Sequence, residues 1–451
     1  MNQIFSSANS TPTQSRRPSS SKHSSNTDMT KRSITKRIRN LLFCGLYQNP
    51  SDSSSHPAPR SKSNSNSKLI FMATDNDSVE WYTAECGTSQ YTLPKRYQEL
   101  SPIGQGAFGA VIRATDAVTG KDVAIKKMLR PFQSETHAKR TYRELKLLMH
   151  LNHRDAQVVQ LYNVFTPEKN VNEFQTLYFV LNFVDYDLSK VIKRGKPFTE
   201  DHIKLLIYSL LRGLKFIHSA GVIHRDLKPT NIGISQNSDL TILDFGLARV
   251  ATNGLQTGYV ATRWWRAPEV FINWERYDEK VDIWSVGCIM AELIILKPLF
   301  AGTDHIDQLT KIFDIVGTPD LATLDQVCEP YARDYINKLT TRPKQDYKKL
   351  FGYRYEGGSR TPTSGVSPQG IALIDRLLSF DHRTRPTAQE ALADPYFEHL
   401  HDPMEEPSAE PLVDEHQDAT YPIQKWKSVL WQMIEEFEPP PWSSEDVDDD
   451  T

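Results

Sequence analysis

His224-Arg225-Asp226-Leu227-Lys228-Pro229-Thr230-Asn231 is the stretch that decides the fold of this 451-residue chain. Two further motifs follow it in order, Asp244-Phe245-Gly246 and Ala267-Pro268-Glu269. Several short motifs in a fixed order are far more specific than any single motif. The probability that all three occur in this order by chance is therefore negligible. The function of the three motifs is inferred together with two features that precede them in the chain. These features are a glycine-rich loop and a lysine that is followed by a glutamate.

The glycine-rich loop is Gly104-Gln105-Gly106-Ala107-Phe108-Gly109, which matches the pattern G-x-G-x-x-G. Alone it is a weak signal, because roughly 0.05 chance matches are expected at this glycine content. A nicotinamide-binding oxidoreductase would need a helix directly after the glycines and an acid about 20 residues later. A strand pattern follows instead, and the positions in question hold Leu129 and Arg130. We therefore predict a flap between two strands, whose backbone N–H groups close over phosphates.

Lys126 and Glu144 form the second upstream feature. Lys126 ends a predicted strand, Val123-Ala124-Ile125, and Glu144 lies on the helix that follows, on the same stripe as Leu148 and Leu151. A glutamate that faces inward is costly unless a cation meets it, which makes Lys126 its natural partner. The pair would hold the ammonium against nucleotide phosphates. A merely structural salt bridge is the alternative that these two residues leave open.

Taken together, the motifs resemble those of the eukaryotic protein kinases. The resemblance implies an α+β fold with two lobes, a small antiparallel-β N-lobe with one regulatory helix and a larger, mainly helical C-lobe. It also implies that Asp226 accepts the proton of the substrate hydroxyl, while Lys228 neutralises charge on the transferred phosphoryl group. Asn231 and Asp244 would hold Mg²⁺ through oxygen atoms. Lys228 and Thr230 favour a Ser/Thr kinase over a tyrosine kinase.

The same resemblance implies ATP as substrate, with Mg²⁺, in the cleft between the lobes, and Lys126 as a third catalytic residue. The expected ATP-binding residues are Ile103, Gly104, Gly106, Gly109, Val111, Ala124, Lys126, Glu144, Leu181 and Val184. Leu181 is bulkier than the threonine that is usual at the back of the pocket, and Asp185 replaces a hinge glycine. These two differences predict altered inhibitor binding.

Thr257-Gly258-Tyr259, inside the activation segment 244–269, narrows the resemblance to the stress-activated, TGY-class mitogen-activated protein (MAP) kinases. The resemblance to this class covers residues 97–441. It implies a proline-directed kinase of a stress-responsive cascade, which transfers the ATP γ-phosphate to Ser/Thr-Pro sites and is activated by phosphorylation of Thr257 and Tyr259. A kinase-fold scaffold with little activity is the alternative, disfavoured because the catalytic residues are all present.

Six arginines are expected to bind the two activating phosphates, each of which adds about −1.5 to −2 charge. The family pattern places Arg140, Arg143, Arg225 and Arg249 near the phosphothreonine, and Arg263 and Arg266 near the phosphotyrosine. Ordinary surface cations are the alternative interpretation.

Partners are expected to dock on Asp402, Glu405 and Glu406, which resemble the acidic common docking patch of the family. The expected partners are an upstream dual-specificity MAP kinase kinase, protein substrates such as transcription factors and downstream kinases, and MAP kinase phosphatases. We expect no direct contact with nucleic acid. Met404 and Gln236-Asn237 stand where the family usually has acids, so the docking preference stays open.

Charge and composition divide the chain. Residues 1–70 hold eighteen serines and eleven Lys and Arg against two acids, which predicts a disordered tail. The predicted segments are a disordered Ser-rich basic tail (1–90), the N-lobe (97–186), the C-lobe (187–400), a C-terminal extension that packs back on the kinase (401–441) and an acidic tail (442–451). The basic run 31–39 is a solvated tail, a nuclear-import patch or a membrane-surface helix.

The overall composition excludes several classes of protein. With 39% hydrophobic and 24% charged residues the chain can bury one large or two medium cores, so it is neither collagenous nor wholly disordered. Its four cysteines are too few and scattered for a disulfide framework. No apolar run approaches the ~20 residues of a membrane span. We therefore expect a protein of the cytoplasm and nucleus without a transmembrane segment.

Overall fold

The computed structural model describes residues 70–72, 79–106, 109–236, 238–250, 263–272, 277–355 and 357–443. The strands are β1 (Ile70–Met72), β2 (Trp81–Cys86), β3 (Ser89–Pro94), β4 (Tyr97–Gln105), β5 (Gly109–Asp116), β6 (Asp122–Met128), β7 (Leu161–Phe165), β8 (Tyr178–Asn182), β9 (Tyr186–Asp187), β10 (Val222–Ile223), β11 (Ile232–Ile234), β12 (Leu240–Ile242) and β13 (Arg249–Val250). The helices are α1 (Glu135–His150), α2 (Leu188–Ile192), α3 (Glu200–Ser219), α4 (Glu269–Ile272), α5 (Lys280–Ile295), α6 (His305–Val316), α7 (Leu321–Val327), α8 (Pro330–Ile336), α9 (Tyr347–Phe351), α10 (Pro368–Leu377), α11 (Ala388–Leu392) and α12 (Ile423–Glu435).

The N-lobe is built on a five-stranded antiparallel sheet with the strand order β4-β5-β6-β8-β7. Its strands β5 and β6 alternate between buried and half-buried residues, and Ile112 and Ile125 are almost fully buried. Such alternation is typical of an antiparallel sheet with unequal cover on its two faces. The predicted small antiparallel-β lobe is therefore confirmed.

A β-hairpin precedes this sheet and corrects one predicted boundary. Strands β2 and β3 pair in register from Trp81–Pro94 to Cys86–Ser89, within a segment that we had assigned in part to a disordered tail ending at residue 90. Tyr91 and Leu93 of the hairpin are buried against the face of the sheet that carries Ile112. The prediction of disorder through residue 90 is wrong because these apolar residues have a sheet to cover.

One long helix, α1, lies between β6 and β7. Its N-cap is Ser134, whose hydroxyl accepts a hydrogen bond from the His137 N–H at 3.3 Å. The buried residues of α1 include Glu144 beside Leu145 and Leu148. The helix therefore carries a carboxylate into the interior, as its sequence pattern indicated.

Helices form most of the C-lobe. Thr199 is the N-cap of α3. Every residue of α5 from Val281 to Ile294 is buried, which makes α5 the centre of the lobe. The helical C-lobe is thereby confirmed. In the described part of the chain, no helix combines the length and the apolar character that a membrane span requires.

The C-terminal extension runs from the C-lobe to the outer side of α1. Its Leu412 N–H donates to the Ala220 carbonyl at 2.9 Å, directly after α3. Further along, the Tyr142 hydroxyl donates to Asp414 Oδ1 at 2.5 Å, and the Tyr142 ring lies 5.1 Å from that of Trp426. Trp426 is almost fully buried. The extension thus contacts both lobes.

Candidate active site

The loop between β10 and β11 brings three of the predicted site residues together. Lys228 Nζ lies 2.6 Å from Asp226 Oδ2. The Asn231 amide nitrogen donates to the Asp226 carbonyl at 2.9 Å and to Asp226 Oδ2 at 3.0 Å. A short 3-10 turn, Pro229–Asn231, sets this geometry, since it returns the chain toward Asp226. The loop therefore presents one carboxylate that is oriented by an amide and an ammonium.

Asp282 supports this loop and was not among the predicted site residues. It is fully buried on α5, and its carboxylate accepts the backbone N–H groups of His224 and Arg225 at 2.8 Å each. His218 adds a third contact, with 2.9 Å between its Nε2 and Asp282 Oδ2. A signal was present in the sequence, because an aspartate in a mainly apolar helix needs buried donors.

The predicted pair of Lys126 and Glu144 is formed in the interior of the cleft. The Lys126 ammonium contacts Glu144 Oε1 and lies 3.5 Å from Asp244 Oδ1. Burial alone would lower the pKa of Lys126, but the Glu144 and Asp244 carboxylates raise it above its ordinary value. In return, the charge of Lys126 lowers the pKa of Asp244 to about 2. Lys126 is therefore a permanent cation and Asp244 a permanent anion at neutral pH.

The oxygen atoms in this cleft fit Mg²⁺ that arrives with a nucleotide. Asn231 commits its amide nitrogen to Asp226, so its amide oxygen is the atom left for a cation. The side chain of Asp244 is 49% exposed. Among the described residues no three His, Cys, Asp or Glu could hold a metal by themselves. Two protein oxygens completed by phosphate oxygens are a usual arrangement for Mg²⁺.

The predicted nucleotide-lining residues lie side by side on the sheet above this cleft. In the register, Val111 stands opposite both Gly104 and Lys126, and Ala124 stands opposite Leu181. A β-carbon on Gly109 would lie 3.1 Å from Lys126 Cε, so the glycine leaves room for the lysine. The structure therefore brings the flap, the lysine and the back of the pocket together, while residues 107–108 of the flap lie outside the described residues.

The remaining predicted members of the nucleotide site lie at the cleft mouth. Ile103 is 44% exposed, although it is a large apolar residue. Val184 packs against β11, where a β-carbon on Gly233 would lie 2.7 Å from Val184 Cγ1. The segment that joins the lobes is therefore held tightly against the C-lobe.

Arginines that are far apart in the sequence converge beside the catalytic loop. Burial, together with the charges of Arg249 and Arg225, lowers the pKa of Arg143 to about 10. Burial and the neighbouring charge of Arg225 also lower the pKa of Arg249. Arg140 reaches the same place, because its Nη2 lies 3.0 Å from where a β-carbon on Gly246 would stand. This mutual repulsion creates a site that favours an anion.

The two arginines predicted for the phosphotyrosine lie further along the activation segment. The Arg263 guanidinium donates to the Thr303 carbonyl, and burial lowers the pKa of Arg266. The phosphorylation sites themselves, Thr257 and Tyr259, lie outside the described residues.

The predicted docking acids separate into two groups. Asp402, which is half-buried, caps the turn Pro403–Glu405, and Glu405 is exposed, so both lie at the surface. Glu406 is buried, and its carboxylate contacts the Tyr208 hydroxyl at 2.9 Å and Lys215 Nζ at 3.0 Å. Its prediction as a docking residue is wrong, because a carboxylate that is already enclosed by internal donors cannot meet a peptide.

Two departures from the family pattern contact each other. Asp185, in the segment that joins the lobes, accepts the Gln236 N–H at 3.0 Å and the Gln236 side-chain amide at 2.8 Å. The sequence showed both residues as unusual but did not indicate that they pair. An acid at position 236 would place two carboxylates in contact, which explains why glutamine suits this position.

Comparison with known proteins agrees with this geometry. The family model described as "Protein kinase domain" matches residues 97–397. The chain is 45% identical to mitogen-activated protein kinase 14 of Xenopus laevis, over 83% of this chain and 99% of the relative. It is 43% and 44% identical to mitogen-activated protein kinases p38b and p38a of Drosophila melanogaster, each over 80% of this chain and 95% of the relative. The chain therefore belongs to the protein kinase family, and within it to the p38-type, stress-activated MAP kinases, which are serine/threonine protein kinases.

Proposed function

We propose that this MAP kinase phosphorylates serine and threonine residues that precede proline, with Mg-ATP as phosphate donor, and that phosphates on Thr257 and Tyr259 switch it on. The observation that carries the switch is the group of arginines beside the catalytic loop. Arg143 belongs to the regulatory helix α1, whereas Arg225 and Arg249 belong to the C-lobe. An anion between them would replace repulsion by attraction and draw α1 toward the C-lobe.

The chemistry follows from the positions of four side chains. Asp226 accepts the proton of the substrate hydroxyl as the new bond to phosphorus forms. Lys228, 2.6 Å from that carboxylate, faces the same reacting oxygen atoms and stabilises their negative charge. When bound, Mg²⁺ neutralises charge on the phosphates, and Asn231 and Asp244 would hold it.

The proposed movement of α1 toward the C-lobe is linked to catalysis through Glu144. Arg143 and Glu144 are adjacent on α1, so capture of a phosphate by Arg143 also fixes the carboxylate that positions Lys126. Lys126 would then meet the phosphates of ATP. The preference for proline after the acceptor residue is inferred from the TGY motif and from the MAP kinase relatives.

Docking is proposed at the half-buried Asp402 and the exposed Glu405. These carboxylates suit basic peptides of an upstream dual-specificity kinase, of substrates and of phosphatases. Such contacts raise the effective concentration of a partner and leave the chemistry unchanged.

The test of this function compares two variants of the activation segment. We expect the unphosphorylated enzyme to be nearly inactive toward a Thr-Pro peptide. After treatment with an upstream MAP kinase kinase, Thr257→Ala should lose more activity than Tyr259→Phe, because phosphothreonine can bridge Arg143 and Arg225 from different lobes. A substrate peptide with alanine in place of proline is the control. The proposal is wrong if the unphosphorylated enzyme is fully active, or if the alanine peptide is used equally well.

A further inference from the structure

An inserted hairpin projects from the C-lobe just before α10. Its base is held by backbone bridges between Gly352 and Val366 and between Arg354 and Ser364. The base is also tied to α3, because the Glu200 carboxylate accepts the Tyr353 hydroxyl and the Ser367 N–H. The hairpin ends before Ser367, because Ser367 is the N-cap of α10. A fixed base therefore presents the tip of the hairpin to solvent.

The tip carries a threonine followed by proline. Thr361, Pro362, Arg360 and the two glycines 357 and 358 are exposed. The glycines have φ of 62° and 74°, which allows the tight turn at the tip. The Thr361 N–H is held only by Ser359 Oγ at 3.2 Å, within the tip itself. Such a local turn can open without disturbing the packed base.

Other Ser-Pro and Thr-Pro pairs of the described chain are less accessible. Ser101, Thr166, Thr318 and Ser367 each precede a proline, and each is partly buried. Three of their hydroxyls also accept structural hydrogen bonds, from the N–H groups of Glu168, Arg342 and Gly370. Among the described residues, Thr361 is thus the exposed serine or threonine that precedes a proline.

We propose that Thr361 is a phosphorylation site that a second copy of this kinase modifies. The proposal rests on the proline-directed activity proposed above and adds a substrate to it. In the reaction the γ-phosphoryl group leaves ATP as a bond forms from phosphorus to Thr361 Oγ. The hydroxyl proton passes to Asp226 of the acting copy, and ADP is released. Phosphate at Thr361 would adjoin the exposed Arg360, which favours the added negative charge.

The position of the hairpin base favours a different molecule as the acting copy. The base is tied to Glu200, at the start of α3, whereas the catalytic loop follows the other end of α3. A helix of 20 residues is about 30 Å long. Even if fully extended, residues 355–361 span at most roughly 25 Å. The assignment to a second molecule is tested directly by the dependence of the phosphorylation rate on the concentration of the acceptor copy.

The test uses a catalytically inactive full-length copy as the acceptor. Asp226→Ala protein is mixed with wild-type enzyme activated by its upstream kinase, and phosphate is mapped by mass spectrometry. We expect phosphate at Thr361 of the inactive copy, and its loss in Asp226→Ala/Thr361→Ala and Asp226→Ala/Pro362→Ala. The matched control is Asp226→Ala/Thr363→Ala, which changes a threonine of the same hairpin that no proline follows, and its Thr361 should still be phosphorylated.

A Thr-Pro peptide in the same reaction separates this inference from the proposed function. If the peptide is phosphorylated but Thr361 is not, the inference is wrong and the proposed function stands. If neither is phosphorylated, the proposed function is itself contradicted. The initial rate at Thr361 should rise in proportion to the concentration of the inactive copy, and a rate that does not depend on it would overturn the assignment to a second molecule.

Discussion

Lys126 combines an ion pair in the protein interior with a proposed catalytic role. Its ammonium is largely buried and contacts Glu144, a carboxylate with 2% of its side chain exposed. Removal of the lysine therefore has two consequences, the loss of a cation at the phosphates and a buried charge without a partner. The two consequences can be separated by a second substitution.

We predict that Lys126→Met lowers kcat by roughly 100-fold or more, because one preorganised charge at the transferred phosphate is lost. We also expect the free energy of unfolding to fall, by up to about 3–5 kcal/mol, since Glu144 stays buried without its cation. Peptide kinase assays and urea titrations measure the two effects. The double change Lys126→Met/Glu144→Gln should recover stability and not activity.

Lys127→Met is the matched control, because Lys127 is the next residue on the strand and donates to the Gln90 carbonyl instead. It should retain near-normal turnover. Unchanged turnover in Lys126→Met would refute the catalytic role, and an equally unstable double variant would refute the role of the Glu144 charge.

Glu292 is a second buried carboxylate, and its ionisation affects stability. It lies on α5 and accepts the Trp265 indole N–H at 2.8 Å. Burial raises the pKa of Glu292 from its ordinary value of 4.5 to about 7. The folded protein therefore holds a proton that the unfolded chain has released, and stability falls as the pH rises from about 4.5 to 7.

We predict that Glu292→Gln removes this fall in stability and keeps the acceptor for Trp265. The free energy of unfolding of the variant, relative to that of wild type, should rise by on the order of 3 kcal/mol between pH 4.5 and pH 8. Urea titrations across this range measure the difference, with Glu398→Gln on an exposed glutamate as control. Parallel pH profiles for Glu292→Gln and wild type would contradict the prediction.

At the scale of elements, β8 and the segment that joins it to β9 form the predicted back of the nucleotide pocket. Leu181 on β8 pairs with Ala124, and the carboxylate of Asp185 accepts two hydrogen bonds from Gln236. Asp185 does not have a positive φ in this structure. Leucine fills space that a smaller residue would leave, and Asp185 resists a flip of its peptide.

We predict that inhibitors with an aryl ring behind the adenine bind this kinase poorly, and that Leu181→Thr/Asp185→Gly binds them roughly 5- to 150-fold more tightly. The KM for ATP should change little, because ATP does not enter that pocket. Kinase inhibition assays measure both quantities. Leu181→Thr/Gln236→Ala is the control that loses the hydrogen bond from the Gln236 side-chain amide but keeps the backbone hydrogen bond of residue 236 and the side chain at 185, and it should gain less. If wild type binds such compounds as tightly as the first double variant, Leu181 does not gate the pocket.

At the scale of the whole molecule, the C-terminal extension ties the two lobes together. It leaves the C-lobe near Leu412 and holds α1 through Asp414 and Trp426. Because α1 carries both Glu144 and Arg143, the extension restrains the helix on which the proposed switch depends.

We predict that Asp414→Ala loosens α1 by about 1–2 kcal/mol, since the Tyr142 hydroxyl loses a charged acceptor. Amide hydrogen exchange in residues 135–150 should then be about tenfold faster. Glu415→Ala, on the exposed neighbour, is the control and should leave the exchange unchanged. Equal exchange in both variants would show that Asp414 does not hold the helix.

The sequence by itself determined the two lobes and the motif residues that the fold brings together in the cleft. These features depend on local patterns and on motifs whose chemistry is tied to a short spacing, as between Asp226 and Asn231. Lys126 and Glu144 could be paired because the burial of a charge demands an opposite one.

Only the tertiary structure decided the rest. Contacts between residues far apart in the chain, such as Glu406 with Lys215 and Asp185 with Gln236, carry no local signal. The hairpin before Tyr97 was mistaken for disorder for the same reason, since its apolar residues become buried only when the sheet is present. Periodicity reports which face of an element is apolar, but burial and charge pairing depend on what the folded chain places against that face.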